Sequence, residues 1–165
     1  MQPQADLVEV PALLEALART PIEVSRLIHA VSPEHWRTRP SPEEFSALEN
    51  VCHLRDIEVD GYAQRIARIL NEANPTLADV DGARLAIERD YNNQELAPAL
   101  ETFRQTRERN VELLRALAES DFDRQALLEG VGEITLRKLV VMMNEHDEGH
   151  LEELNRLVTR ASLDV

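Results

Sequence analysis

The chain is 165 residues long and carries 18 basic against 31 acidic side chains, a formal net charge of −13. That length suits one domain, residues 1–165, with roughly two thirds of the unfolded surface buried on folding. The charge excludes a nucleic-acid binder, which needs a positive patch for phosphates, and equally excludes an anionic membrane surface as partner. Cys52 is the only cysteine, which rules out an internal disulfide and fits a reducing cytoplasm. The first residues, MQPQADLVEV, lack the basic start and apolar run of a leader, and no stretch reaches the roughly 18 apolar residues of a membrane span. These features describe a soluble, cytoplasmic protein that works on a small molecule.

Abundant Ala, Leu, Glu and Arg with little Gly favours helix. The first helical segment starts near Val10–Leu17 and restarts at Thr20-Pro21-Ile22-Glu23, which reads as a capping box with proline at the first helical position. Its apolar residues Ile22, Val24, Leu27, Ile28 and Val31 recur at helical spacing. A proline-punctuated loop around Trp36 follows. Ser41 then caps a second helix, with Pro42 at its first position, running to about Leu70. Residues 76–93 read as a long connection with a short helix around Ala83–Asp90. A third helix covers about Gln94–Glu119. Asp123–Glu133 reads as a turn or short extended hairpin, and Thr135 caps a fourth helix from Leu136 to about Thr159. Period-two alternation is nearly absent. The fold class is all-α: a four-helix bundle with a long crossover between its second and third helices.

The fourth helix reads LRKLVVMMNEHDEGHLEELNRLV. Its apolar stripe runs through Leu136, Leu139, Val140, Met143, Leu154, Leu157 and Val158, and His146 and His150 continue it. Residues four apart lie about 40° apart around a helix axis and about 6 Å along it, so the two imidazoles stack on one face. That placement suits adjacent positions on one metal ion, with bonds of about 2.0–2.1 Å. Glu145, Asp147 and Glu148 lie between them, where a carboxylate orients a ligand imidazole from behind. Against this stands the ordinary solvated helix face, on which such a spacing is common.

A third ligand candidate is His53 on the second helix. It lies off the stripe formed by Phe45, Leu48, Val51 or Cys52, Val59, Tyr62, Ile66 and Ile69, beside Glu49, Asn50, Asp56 and Asp60. Periodicity alone leaves that face either solvated or lining a polar cleft. Cys52 points about 100° from His53 and reads as core. His29 and His35, at a helix end and in a loop, read as structural. On the third helix Arg107 and Asn110 interrupt the stripe of Phe103, Leu114 and Leu117. A buried arginine there pairs with a carboxylate or reaches the cleft to anchor an anionic ligand.

Together these segments resemble the DinB-like (damage-inducible) family of bacterial four-helix metalloproteins, over about Thr20 to Val158. The family's W-S-x-x-E-x-x-x-H-L-x-D-x-E run corresponds to FSALENVCHLRDIE, with Ser46, Glu49, His53, Leu54, Asp56 and Glu58 in place. Its H-D-x-x-H-L run corresponds to His146, Asp147, His150 and Leu151, and its F-x-x-x-R to Phe103 and Arg107. Phe45 stands where many relatives carry tryptophan, which keeps the aromatic body without the indole donor. The resemblance implies a three-histidine site, His53, His146 and His150, for a divalent metal, zinc or nickel. In an enzyme built on this site, Asp56 is the candidate for orienting a ligand or moving a proton, and Arg107 for anchoring substrate. Related activities are S-transfer or isomerisation with low-molecular-weight thiols such as bacillithiol or mycothiol, and metal-dependent hydrolysis. The alternative is a non-catalytic stress-response module with a vestigial or structural metal site, and a homodimer through an outer helix face is a further expectation.

Overall fold

Helices form where apolar residues recur at helical spacing, and a computed structural model describes residues 9–163 of the chain. Residues 1–8, which hold most of the segment read for a leader, and residues 164–165 lie outside the described residues. Helix α1 spans Val10–Ala30 without a break, so Pro21 lies inside it rather than at a start. Thr20 is therefore no N-cap. Its hydroxyl donates to Asp147 Oδ2 at 2.6 Å, with the Ala16 carbonyl 3.3 Å away. Proline has no N–H to offer the carbonyl four residues back, which is that of Leu17. Arg107 Nη1 donates to this carbonyl instead, at 3.0 Å. Val24, Leu27, Ile28 and Val31 are buried as the stripe requires, whereas Ile22 is exposed.

The turn after α1 folds back on itself. The Trp36 indole donates to the carbonyls of Ile28 and Val31, closing the last turn of α1, and the Trp36 carbonyl accepts from Leu48 N. Residues 37–45 are used up in this return. The second helix consequently starts later than Ser41, at α2 (Ala47–Asp56), and Ser46 is its cap. Glu49 N donates to Ser46 Oγ at 3.1 Å and Ser46 N donates to Glu49 Oε2 at 2.8 Å, a reciprocal capping box. The rod continues through a π-helical turn, Ile57–Tyr62, into α3 (Ala63–Asn71). The wider turn alters which way its residues face. Ile57 and Glu58 point inward, and Val59, expected on the stripe, lies at the margin.

The crossover holds β1 (Thr76–Leu77), α4 (Gly82–Glu88) and a 3-10 turn at Tyr91–Asn93, and leads into α5 (Leu96–Arg115). The expected hairpin is present as β2 (Gln125–Leu128) and β3 (Gly132–Thr135). The order is β1-β2-β3, with β1 parallel to β2 and β2 antiparallel to β3. Two residues are too few for a period-two pattern, so β1 had no signature in the sequence. Thr135 Oγ1 accepts from Lys138 N at 3.1 Å and caps α6 (Leu136–Leu163). The fold is all-α, a four-helix bundle of α1, the α2–α3 rod, α5 and α6, with the long crossover between the second and third. No helix among the described residues is long and apolar enough to cross a membrane.

The buried apolar residues form two clusters. One gathers Leu14, Leu17, Ile66, Ile69, Leu114, Leu139 and Met143 near the hairpin end, and the other Val24, Ile28, Leu48, Val51, Phe103 and Leu154. Between them lies a polar stratum. Arg107, 1% exposed, forks onto Glu58 (2.8 and 2.9 Å) and Asp147 (2.5 and 3.0 Å), and Asn110 Nδ2 donates to Glu58 Oε1 at 2.8 Å. Removing one partner of such a group leaves uncompensated charge in the core, which costs more than replacing the whole group by apolar side chains. Arg107→Met is expected to lower unfolding free energy by about 3–5 kcal/mol. Adding Glu58→Leu and Asp147→Leu should recover much of that loss. Urea denaturation checks both; a loss below about 1 kcal/mol for the single variant contradicts the assignment.

Candidate metal centre

Three imidazoles meet beside this polar stratum. His53 stands in the last turns of α2, while His146 and His150 are successive on one face of α6. Each offers a nitrogen within 4.8 Å of the others. Ring centroids are 4.6 Å apart for His53–His150 and His146–His150, and 5.2 Å for His53–His146. His53 Nε2 and His146 Nε2 are 3.1 Å apart, close to the roughly 3.3 Å that separates two ligands on a tetrahedral ion with 2.0–2.1 Å bonds.

The rings are held by different means. His150 Nδ1 lies 2.8 Å from Asn50 Oδ1 and 3.3 Å from Glu153 Oε2, so it donates to a cluster of oxygens and leaves Nε2 with its lone pair. His53 Nδ1 is buried and has no hydrogen-bond partner among the described residues. Packing orients that ring. Phe45 sits 5.3 Å from it, and Gly82 presses so close that a Cβ there would lie 2.3 Å from His53 Cε1 and 2.7 Å from Nδ1. Tyr62 meets His146 edge-on at 6.0 Å.

Electrostatics keeps two of the rings neutral. Burial, and then the neighbouring histidines, push His53 down to about 3. Burial, His150 and the Arg107 guanidinium push His146 down to about 3. Glu153 is held below the usual carboxylate range, first by its bond with His150. Neutral imidazoles with converging lone pairs, beside an ionised carboxylate, are the donor set a borderline divalent cation takes, and the residues present fit one.

The structure brings together His53, His146 and His150, but neither Asp56 nor Arg107 stands among them as expected. Asp56 Oδ2 accepts from the Tyr91 hydroxyl at 2.7 Å and faces Arg89 Nη1 at 2.8 Å, and Oδ1 accepts from Arg55 Nε at 2.7 Å. Burial would raise this carboxyl, but the bonds from Arg55 and Tyr91 outweigh it and hold it low. Neither oxygen hydrogen-bonds an imidazole; Asp56 ties α2 to the crossover. Arg107 is committed to Glu58, Asp147 and the Leu17 carbonyl, so the carboxylate-pairing reading holds and its donors are not turned to a ligand. Asp147 is spoken for by Arg107 and Thr20, and orients no imidazole.

Three contributors had weak signals or none. Asn50 lies three residues before His53, and Glu153 three after His150, both on the correct helix faces. Gly82 is far along the chain with nothing nearby to mark it. Cys52 is buried, as read, and burial pushes its thiol up to about 11.

The close packing of Gly82 and the low basicity of the rings both have measurable consequences. Gly82→Ala should displace the His53 ring and weaken zinc binding by about 10–100-fold, the usual cost of disturbing a ligand's support. Thermal stability should change little, because α4 is short; isothermal titration showing unchanged affinity contradicts this. In metal-free protein, native His53 and His146 titrate near 3 against an ordinary value of 6.5. The unfolded chain then binds more protons between these values, so stability falls as pH drops from 6.5 toward 3. Urea midpoints across that window should slope less in a His53→Gln/His146→Gln variant.

Known proteins share this fold. YfiT from Bacillus subtilis, described as a probable metal-dependent hydrolase with an unusual four-helix bundle topology, superposes with a TM-score of 0.85, covering 92% of this chain and 87% of that one at 19% identity. The DinB-like protein YjoA from Bacillus subtilis superposes at 0.58, covering 92% of each chain at 20% identity. YuaE from Bacillus subtilis strain 168 is 24% identical over 150 residues, 82% of this chain and 91% of its own. The family model of the DinB superfamily matches residues 16–154, a span that contains all three histidines and the Arg107 stratum, and the chain belongs to the DinB superfamily.

Proposed function

We propose that the protein is a divalent-metal-dependent enzyme acting on a small molecule, with thiol S-transfer as its first reaction class. The observation that carries this reading is the convergence of His53, His146 and His150, two of them kept neutral by burial, at the border of an open cleft. The cleft has a volume of about 320 Å³ and is lined by His150 and Glu153 together with Phe45, Ala83 and Leu157. The three histidines would hold zinc or nickel. A bound ion of this kind supplies Lewis acidity and lowers the pKa of a thiol or water.

The chain's own residues do the rest. Asn50 holds the His150 ring through Nδ1 and leaves Nε2 as its free lone-pair donor. Glu153, ionised and open to the cleft, accepts at a carboxylate oxygen the proton that an entering thiol or water gives up. Phe45, Ala83 and Leu157 supply apolar surface in a cleft otherwise lined by charged side chains, and that surface suits the carbon skeleton of an electrophile. The family resemblance supports a low-molecular-weight thiol as the nucleophile. Hydrolysis is the second reading, favoured by the description of YfiT, and Glu153 would serve it as the same base.

Elemental analysis of untagged protein tests the reading. Wild type is expected to retain about one zinc or nickel per chain and His150→Ala to lose it. Loaded protein should then accelerate conjugation of a thiol to monobromobimane more than cleavage of 4-nitrophenyl acetate. No metal in either protein after incubation with zinc or nickel removes the assignment, and faster ester cleavage than conjugation replaces S-transfer by hydrolysis.

A further inference from the structure

Beyond the three histidines, α6 continues along the same cleft with Glu153, Arg156, Leu157 and Arg160, all of which line it. Most arginines of this acidic chain are engaged by carboxylates: Arg39 by Glu49, Arg55 and Arg89 by Asp56, Arg68 by Glu72, Arg104 by Glu101 and Arg107 by Glu58 and Asp147. Arg156 and Arg160 have no ion pair or hydrogen bond among the described residues. They are four apart and exposed, so two guanidiniums stand one above the other at the cleft mouth. From His150 to Arg156 the helix rises roughly 9 Å and to Arg160 roughly 15 Å. The same cleft is lined by the apolar side chains of Phe45, Ala83, Leu157 and Pro40 and by the carboxylates of Glu43 and Glu44.

We infer that Arg156 and Arg160 form an anion subsite, and that the substrate or cosubstrate is an elongated small molecule. Its reactive group lies at the histidines, and a carboxylate or phosphate sits roughly 9–15 Å away along the helix. This rests on the proposed function for what happens at the histidine end, but the anion end stands on geometry and charge alone. At −13 overall the protein repels anions at long range, so capture of one requires unpaired local positive charge where the anionic group docks. Guanidiniums suit that task because their planar forks grip a carboxylate or phosphate with two bonds. Glu153 separates the two ends and interacts with both His150 and Arg156, so it repels an anion that approaches the histidines directly and leaves the arginines as its docking point. This subsite is where an anionic ligand is anchored, in place of Arg107.

The test compares 6-mercaptohexanoate with 6-mercaptohexanol, equal in length and differing in the charged end, by calorimetric titration of zinc-loaded and of metal-free protein. Wild type should bind the carboxylate about tenfold more tightly than the alcohol, the scale of one charge-assisted hydrogen bond at a partly exposed site. Arg156→Gln/Arg160→Gln should abolish the preference while leaving alcohol binding and zinc content unchanged, and Arg156→Lys/Arg160→Lys should restore part of it. The preference should also shrink at high salt. Hexane-1-phosphate against hexanol, titrated in the same proteins, distinguishes a phosphate-bearing from a carboxylate-bearing ligand. No preference in wild type for either anion, or a preference that survives in the glutamine variant, overturns the inference. Should the protein fail to take up zinc, the proposed function falls, and the metal-free titrations still decide whether the arginines form the subsite.

Discussion

Arg107 places a positive charge in the middle of the bundle, and its bonds end on every other long helix. Glu58 comes from the α2–α3 rod, Asp147 from α6, and the Leu17 carbonyl from α1, where Pro21 has left that oxygen without a helical donor. Thr20 adds a second link between α1 and α6 through Asp147. A buried group of this kind contributes little net stability compared with apolar packing of the same volume, because desolvation offsets the attraction. What it contributes is register. The two apolar clusters on either side would tolerate small slides of one helix past another, but a fork with five fixed acceptors does not.

Register matters here because Asp147 follows His146 directly and Glu58 lies one turn beyond His53. Holding the two carboxylates on one guanidinium fixes where α6 meets the rod, and with it the 3.1 Å approach of the two Nε2 atoms. The π-helical turn at Ile57–Tyr62 belongs to the same device, since it turns Glu58 inward just after the helix has presented His53. Wide turns of this kind recur at functional sites, where an extra residue re-aims side chains that a regular helix would place elsewhere. The same guanidinium acts on His146 through space, helping burial to keep it neutral. One buried cation thus aligns the histidines and keeps a competing proton off one of them.

The crossover completes the site from outside. Its short helix begins at Gly82 against the His53 ring, and the Tyr91 hydroxyl and Arg89 hold Asp56 on the other side of the same helix. The residues expected to do chemistry, Asp56 and Arg107, turn out to hold elements in place. Charges that remain uncommitted are found further along α6, toward solvent. An acidic protein with its interior cations neutralised internally can present positive charge only at such local points.

Much of the architecture was legible in the sequence. The four long helices, the short helix of the crossover, the Thr135 cap and the hairpin all stem from local periodicity and from turn and cap chemistry, which act within a few residues. The His146–His150 pair was legible for the same reason, since a spacing of four on a buried stripe fixes both side chains on one face. Local signals failed where a tertiary contact overruled them. Thr20-Pro21 carries a strong start signal, yet α1 runs through it because Arg107 and Asp147 satisfy the groups that proline and threonine leave over. The second helix starts at Ser46 rather than Ser41 because Trp36 draws the preceding loop back onto α1. Whether His53 faced solvent or a cleft, and whether Arg107 met a ligand or two carboxylates, depended on helices distant in sequence. Periodicity determines which residues share a face, but only the packing of four helices decides what that face meets.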